Sequence, residues 1–142
     1  MHLGFIVKVL FLFQNLGMWK RFNPNPEGKS VGDCTVRAIC AAMSFDWLNA
    51  YDDLCTEGRM FFDMPSSNAV FGSYLHLQGF QKFLVQNRFD NIITIRRFAD
   101  MHPRGIFVLA TGTHVVTVID GDYYDSWDSG NEIVIYYYTL ED

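Results

Sequence analysis

Hydrophobic positions along this chain follow two different periods. Up to residue 102, most apolar residues recur at the spacing of an amphipathic helix, and later they form short runs separated by glycine-containing turns. The helical spacing predicts four helices: Cys34 to about Met43, Trp47 to about Thr56, Asn68 to Leu77, and Ile95 to His102. Pro103 directly follows the last of these, and a proline at this place stops a helix.

Strands are predicted mainly in the C-terminal part of the chain. This part is rich in Val, Ile and Tyr, which favour strands, and it predicts four of them: Ile106 to Ala110, His114 to Ile119, Asp122 to Trp127, and Ile133 to Tyr138. Phe80 to Val85 and the pair Ile92-Ile93 are candidates further upstream. Helices followed by strands indicate an α+β fold, with N-terminal helices packed on a C-terminal antiparallel β-meander.

Polar residues that can cap a helix precede three of the predicted helices. Asp33 and Asp46 stand before the first two, and Thr94 stands before the fourth. Their side-chain oxygens can accept hydrogen bonds from the free amide groups of the first turn. Gly58 is expected to close the second helix.

Composition indicates a single globular domain and excludes several classes of function. Of the 142 residues, 49% are hydrophobic and 16% aromatic, so the chain can bury one core. The net charge of −5 argues against nucleic acid or an anionic membrane as the main partner. Cys34, Cys40 and Cys55 are odd in number and lack CxxC spacing, which argues against a disulfide framework and a zinc site. We therefore expect a reducing, cytoplasmic compartment and no metal or cofactor.

Residues 1–17 allow three interpretations. The apolar run from Leu3 to Phe13 is too short to span a membrane but long enough for the core of a signal peptide. Lys8 interrupts this run, and Asn15 to Gly17 form a poor cleavage site. The segment is thus an extension before a domain at 18–142, a signal or membrane-surface segment, or an integral strand. A working signal would make the protein secreted; stable membrane insertion is not expected.

The stretch GDCTVRAI, from Gly32 to Ile39, contains the candidate nucleophile. Cys34 stands in the first turn of the first predicted helix, where the helix N-terminus lowers a thiol pKa from its usual ~8.5. A nearby imidazolium would lower it further, but no histidine is close in sequence, so the fold must supply one. The alternative is that Cys34 is a small core residue.

His114 is the best candidate for that imidazole. It begins the apolar strand that ends at Ile119. The other histidines are less suitable: His2 lies in the uncertain N-terminus, His76 lies in the middle of a helix, and His102 lies at a helix end that it can cap. A lone histidine on a strand is usually structural, so His114 gains weight only if a carboxylate lies beside it.

The dipeptide Asp120-Gly121 predicts a hairpin turn, and the register of this hairpin indicates which carboxylate lies beside His114. A two-residue hairpin loop at this position pairs Ile119 with Asp122. It puts His114 and Asp125 on one face of the sheet as diagonal neighbours, with roughly 7–8 Å between their backbones. A three-residue loop would select Asp128 instead. Asp125 is therefore predicted to orient His114, with a surface position near the turn as the alternative.

Cys34, His114 and Asp125, in this order, resemble the papain-like cysteine peptidase superfamily. In that family the cysteine opens a long helix packed on a mostly antiparallel sheet, the histidine heads a strand, and an Asn or Asp follows on the next strand. The stretch Asp125-Ser126-Trp127 is similar to the Asn-Ser-Trp of papain, and the resemblance implies that Trp127 shields the imidazole from water. The opening from Met18 to Pro26 and the GDC-x-V-R-A-I run also resemble those of short phage and gut-bacterial proteins, and this resemblance supports Met18 as the domain start.

Two departures from the family concern the environment of the sulfur. The family's oxyanion glutamine stands six residues before the cysteine, where this chain has Gly28. The backbone amide of Cys34 can supply one oxyanion donor, and the candidates for the second, which remain unranked, are Asn23, Asn25, Lys29 and Ser30. Asp33 would raise the thiol pKa if it pointed inward and would matter less as a helix cap.

The function expected from the sequence is therefore a cysteine peptidase-like hydrolase that cleaves an amide or isopeptide bond of a peptide or protein substrate. A cell-wall amidase or endopeptidase of the same superfamily is the alternative enzyme. The alternative of another class is a non-catalytic phage module that binds a host protein. Its interface would be an aromatic patch at Tyr136 to Tyr138, with Tyr123 and Tyr124, for which plain strand packing is the other interpretation.

Overall fold

Residues 17–140, which the computed structural model describes, form four helices and one six-stranded sheet. The helices are α1 (Cys34–Met43), α2 (Trp47–Phe61), α3 (Asn68–Leu77) and α4 (Ile95–Met101). The strands are β1 (Met18–Arg21), β2 (Phe80–Leu84), β3 (Ile106–Ala110), β4 (Val115–Ile119), β5 (Asp122–Asp125) and β6 (Tyr136–Leu140). The predicted α+β class is confirmed.

The sheet is mixed, with the strand order β1-β5-β4-β3-β6-β2. Strands β3, β4 and β5 form the predicted antiparallel meander, but β6 pairs with β3 on its other side, and β2 pairs with β6. The prediction of a four-strand C-terminal meander is therefore wrong. The segment before β6 crosses from one side of the meander to the other, where the amide of Ile135 donates to the carbonyl of Ala110.

Strand β1 was not predicted, and it lies parallel to β5 at the edge of the sheet. Its four residues are all exposed, so it has no alternating pattern to reveal it. Parallel pairing joins it to a strand about a hundred residues later in the chain, with Met18 opposite Asp122 and Arg21 opposite Asp125. The N-terminal part of the described chain thus supports the strand that carries Asp125.

Some predicted boundaries differ from those in the structure. Helix α2 continues to Phe61, so Gly58 lies within it and does not end it. A Cβ at Gly58 would stand 2.8 Å from the carbonyl oxygen of Asp63, so this glycine admits the chain that turns back after the helix. Ile92-Ile93 is not a strand, β5 ends at Asp125, and β6 begins at Tyr136.

The predicted caps at Asp46 and Thr94 are confirmed, and the one at Asp33 is wrong. Asp46 accepts a hydrogen bond from the amide of Asn49, and Thr94 accepts one from Arg97. Asp33 stands at the N-cap position of α1 but makes no side-chain capping bond. Its carboxylate has stronger partners in the fold, which belong to the candidate site below.

Two hydrophobic clusters lie on the two faces of the sheet. The first joins α1, α2 and α3 to alternate sheet residues such as Val108 and Val115. The second joins α4 to the intervening residues, such as Leu109 and Val116. Because successive strand residues point to opposite faces, this division puts α1, with Cys34 at its start, against the larger cluster.

Residues 1–16, and with them nearly all of the predicted N-terminal extension, lie outside the described residues. Among the helices of residues 17–140, none combines the length and the apolar composition that crossing a bilayer requires. The same residues contain no group of three or more His, Cys, Asp or Glu side chains placed to hold a metal ion.

Candidate active site

Cys34 is the first residue of α1 and is half-buried. The turn that leads into the helix is closed by hydrogen bonds from the Asp33 amide to the Val31 carbonyl, 2.8 Å, and from the Arg37 amide to the Asp33 carbonyl, 2.8 Å. The thiol therefore stands where the unpaired amides of the first turn create a positive potential. This is the position that the sequence predicts for it.

His114 is held by a tight turn between β3 and β4. The amide of Thr111 donates to the carbonyl of His114, 2.9 Å, and the amide of His114 donates back to the hydroxyl of Thr111, 3.1 Å. Gly112 has a φ of +97°, which glycine adopts without strain. Asn68, at the start of α3, donates from its side-chain amide to the carbonyl of Gly112, 3.2 Å, and so connects this turn to the helical layer.

Asp125 lies directly beside His114, as the hairpin register predicts. The observed pairs Ile119 with Asp122 and Val118 with Tyr123 are those of a two-residue loop. The Oδ2 atom of Asp125 stands 2.6 Å from Nε2 of His114, and the aspartate is fully buried. The ring's other nitrogen, Nδ1, is thereby left for the thiol.

The carboxylate of Asp125 is saturated with hydrogen-bond donors. Oδ2 also accepts from the hydroxyl of Ser129, 2.6 Å, and Oδ1 accepts from the amide of Ser126, 2.8 Å, and from Nε of Arg37, 3.1 Å. Within residues 17–140, every buried polar side-chain atom has a hydrogen-bond partner. Such saturation fixes the orientation of the carboxylate and favours its charged form.

Arg37 connects the two ends of the site. Its Nη2 lies 3.0 Å from Oδ1 of Asp125, and its Nη1 lies 2.5 Å from Oδ1 of Asp33. The other oxygen of Asp33 accepts from the indole N–H of Trp47, 2.8 Å. Asp33 therefore points inward, against the predicted cap, because a buried guanidinium and an indole bind it more strongly than exposed helix amides do.

The thiol and the imidazole shift each other's pKa in opposite directions. Burial alone would raise the pKa of Cys34, but the imidazole of His114, the backbone N–H of Val115 and the charge of Arg37 together hold it below its ordinary value. Burial alone would lower the pKa of His114, but its contacts with Asp125 and Cys34 raise it to about 9. Both shifts favour a thiolate–imidazolium ion pair over the neutral pair.

The pKa of Asp125 supports the same charge state. Burial would raise it, but the hydrogen bonds from His114 and Ser129 and the charge of Arg37 hold it below its ordinary value. Asp125 is therefore charged when His114 is protonated. The carboxylate both orients the ring and stabilises the imidazolium.

Trp127 lies beside the imidazole, with its ring centroid 5.2 Å from that of His114 and the two rings tilted by 43°. The loop that carries Trp127 is held on its outer side by Asp128, which accepts hydrogen bonds from the hydroxyl of Tyr123 and from Arg96. Asp128, the alternative third residue, thus pairs away from His114. The structure brings Asp125, and not Asp128, to the ring.

The remaining histidines of the described chain lie elsewhere. His102 stacks on Phe98 at the end of α4, with Nδ1 2.8 Å from the carbonyl of that residue, which confirms its predicted role at the helix end. His76 is near the end of α3.

Asn23 and Asn25, two of the candidate oxyanion donors, build the loop before Cys34. Asn25 accepts hydrogen bonds from the amides of Glu27 and Lys29, and Asn23 donates to the carbonyl of Lys29, 3.2 Å. The ammonium group of Lys29 pairs with Glu27 at 3.0 Å. The identity of the second oxyanion donor stays a prediction, with Ser30 as the fourth candidate.

Sequence reasoning missed Arg37 and Ser129. Arg37 stands in a helix that is otherwise almost wholly apolar, and the Asp33–Arg37 spacing of i, i+4 was the available signal for an ion pair. Ser129 follows Asp125 by four residues in an irregular loop, where no periodic pattern indicates which side chain turns inward.

A large cavity on the surface, of about 870 Å³, lies away from these residues, between the end of α2 and the start of α3. Its lining includes Cys55, Arg59, Met60 and Met64, and no member of the Cys34–His114–Asp125 cluster. Its size carries no chemistry by itself, because the thiol and the imidazole that shift each other's pKa do not line it.

Comparisons with protein-family models, with curated proteins and with solved structures found no match for this chain. The site itself provides a thiol with a lowered pKa, an imidazole that can carry its proton, and a buried carboxylate behind the ring.

Proposed function

We propose that this chain is a cysteine peptidase-like hydrolase that cleaves an amide or isopeptide bond of a peptide or protein. The observation that carries the proposal is the 2.6 Å contact between Asp125 and an imidazole whose pKa is raised to about 9 beside a thiol whose pKa is lowered. A buried structural cysteine would have its pKa raised, as Cys40 does on the same helix.

The proposed reaction runs in two steps. The thiolate of Cys34 attacks the carbonyl carbon, forming a C–S bond, and the C–N bond breaks as the imidazolium of His114 gives its proton to the leaving amine. The now neutral imidazole takes a proton from water, whose oxygen attacks the thioester and releases the carboxylic acid. The thiolate and the imidazolium are restored, and Asp125 keeps its charge throughout.

We further propose that the fold is papain-like. Support comes from a cysteine at the start of a helix that packs on a sheet, a histidine directly before one strand, and an aspartate on the next strand. The departures are the parallel strand β1, Gly28 at the place of the family's glutamine, and Asp33 before the cysteine. Three free cysteines suit a cytoplasmic protein.

The test is the cleavage of a complex peptide library, read by mass spectrometry as new termini. We expect cleavage with the natural chain, none above background with Cys34→Ala, and full activity with the matched control Cys55→Ala. Cys34→Ala should remain folded, because a half-buried thiol contributes little packing energy. Equal cleavage by both variants would overturn the proposal.

A second substrate arm distinguishes the alternative enzyme. Purified bacterial cell wall that is solubilised by the natural chain but not by Cys34→Ala, with no cleavage of the peptide library, would indicate an amidase or endopeptidase of the cell wall. Failure to cleave either substrate, together with slow labelling of Cys34 by a thiol reagent at neutral pH, would indicate a non-catalytic binding module.

A further inference from the structure

Arg37 is a buried cation with two anionic partners. The residue is 5% exposed, Asp33 is 6% exposed, and Asp125 is fully buried. One guanidinium contacts both carboxylates, through Nη1 to Asp33 and through Nε and Nη2 to Asp125. Burial on this scale is costly for a cation unless its charge and its donors are all used.

Asp33 stands in an unfavourable place for a protein with a reactive thiol. It directly precedes Cys34 in sequence, and its side chain points into the protein, against Arg37 and Trp47. A negative charge near a thiol opposes its ionisation. The pKa of Cys34 is nevertheless lowered, with the charge of Arg37 among the causes and that of Asp33 absent from them. The ion pair with Arg37 is placed to offset the charge of Asp33.

The charges of the cluster show the direction of this effect. In the ion-pair state Cys34, Asp33 and Asp125 are negative, and only His114 and Arg37 are positive. The cluster thus has one negative charge more than positive charges, and without Arg37 the excess would be two. In a site of low dielectric constant, the thiolate would then be the anion of the cluster that binds a proton most easily.

We propose that Arg37 is a positioning residue that cancels the charge of Asp33 beside the nucleophile while it holds Asp125 behind His114. The inference rests on the proposed function, since it assumes that Cys34 acts as a thiolate. Trp47 assists by donating to the second oxygen of Asp33, which fixes that carboxylate against the guanidinium. The hydrogen bonds of the Arg37 guanidinium go to Asp33 and Asp125, so it acts on the thiol and the imidazole through these carboxylates.

The test measures the rate at which iodoacetamide alkylates Cys34 between pH 4 and pH 10, with the modified residue identified by mass spectrometry. We expect Arg37→Gln to move the acidic limb of this profile upward by about one pH unit, which is a tenfold loss of thiolate below the limb. Removing Asp33 as well, in Arg37→Gln/Asp33→Asn, should return the limb most of the way to that of the natural chain.

The double variant also covers a failure of Arg37→Gln to fold, because it removes one positive and one negative charge together. If the acidic limb of the double variant lies close to that of the natural chain, the inference is supported. If it lies one pH unit higher, the inference is overturned, because Arg37 would then act through its own charge and not by cancelling that of Asp33. An unshifted limb in folded Arg37→Gln overturns it too.

The results that would overturn the proposed function differ from those that would overturn this inference. The alkylation profile of the natural chain can show the lowered acidic limb and the expected shift in Arg37→Gln while no substrate is cleaved. This result would support the inference on Arg37 and overturn the proposed hydrolase. If the acidic limb of Cys34 in the natural chain lies at the pH of an ordinary thiol, there is no thiolate–imidazolium ion pair, and the proposed hydrolase is overturned as well.

Discussion

The hydroxyl of Thr117 donates a 2.7 Å hydrogen bond to the carbonyl of Ala38, where strand β4 crosses helix α1. Thr117 is fully buried and Ala38 is 1% exposed. The helix carries Cys34 four residues before this contact, and the strand begins directly after His114. The bond therefore fixes the distance between the two elements that bring thiol and imidazole together.

Replacing Thr117 by Val should weaken this crossing. The change keeps the shape of the side chain but removes the donor, and we expect a loss of about 1 to 2 kcal/mol in the free energy of unfolding, measured by urea denaturation. Thr139→Val is the matched control, because Thr139 donates to the carbonyl of Ile106 in a part of the sheet away from the site.

Both variants should lose stability, but only Thr117→Val should slow the alkylation of Cys34 at neutral pH. Equal alkylation rates in the two variants would show that the crossing does not control the thiol.

The pH dependence of hydrolysis should be bell-shaped. As the pH rises through the lowered pKa of Cys34, the thiolate forms and activity increases. As it rises further through about 9, His114 loses the proton that the leaving amine needs, and activity falls. The two limbs are properties of the coupled pair, and kcat/KM measured from pH 4 to pH 10 reports them.

A profile that keeps rising above pH 9 would contradict this expectation. It would mean that the imidazole acts in its neutral form, or takes no part in the reaction.

Asp125→Asn should shift the alkaline limb to lower pH. The carboxylate is the main group that raises the pKa of His114 against the effect of burial, and an amide has no charge to do so. We expect kcat/KM to fall by about a hundredfold at its optimum. Stability should fall by about 3 kcal/mol, because Arg37 keeps only one of its two carboxylates.

Asp128→Asn is the control for that variant. It changes the same functional group three residues further along the chain, but at a half-exposed ion pair with Arg96. A large loss of activity in Asp128→Asn, with an unchanged limb in Asp125→Asn, would show that the third residue of the proposed triad is misassigned.

The two cysteines of α1 should react very differently. Burial, and then the carboxylates of Asp46 and Asp33, raise the pKa of Cys40 to about 11, whereas the pKa of Cys34 is lowered. At pH 7 we expect iodoacetamide to modify Cys34 at least a hundredfold faster than Cys40, as followed by peptide mapping. Cys40 should react only when urea unfolds the chain, and comparable rates in the folded protein would contradict the structure.

The sequence predicts the core of the candidate site because local signals control it. Asp120-Gly121 determines the hairpin register, and that register alone puts Asp125 beside His114. Cys34 begins a helix whose apolar spacing is clear. Each of these features depends on a few neighbouring residues, which is what a single sequence can reveal.

The parts that were missed depend on contacts between distant segments. Asp33 satisfies the rule for a helix cap, but its carboxylate binds Arg37 and Trp47 because the fold buries all three groups together. The placement of β6 beside β3, and of β1 beside β5, has no local signal, since strand propensity does not specify a partner. Tertiary contacts, and not propensity, decided these cases.

Strand β1 has a consequence for the synthesis of the protein. The amide of Phe22 and the indole N–H of Trp19 both donate to the backbone carbonyl of Asp125, and Trp19 is 106 positions earlier in the chain. A nascent chain on the ribosome contains its sulfur early, but it lacks the groups that ionise that sulfur until the last strands emerge. On the proposed function, the growing polypeptide is thus latent during translation, and a prematurely terminated product that ends before Asp125 would lack the carboxylate of the proposed triad.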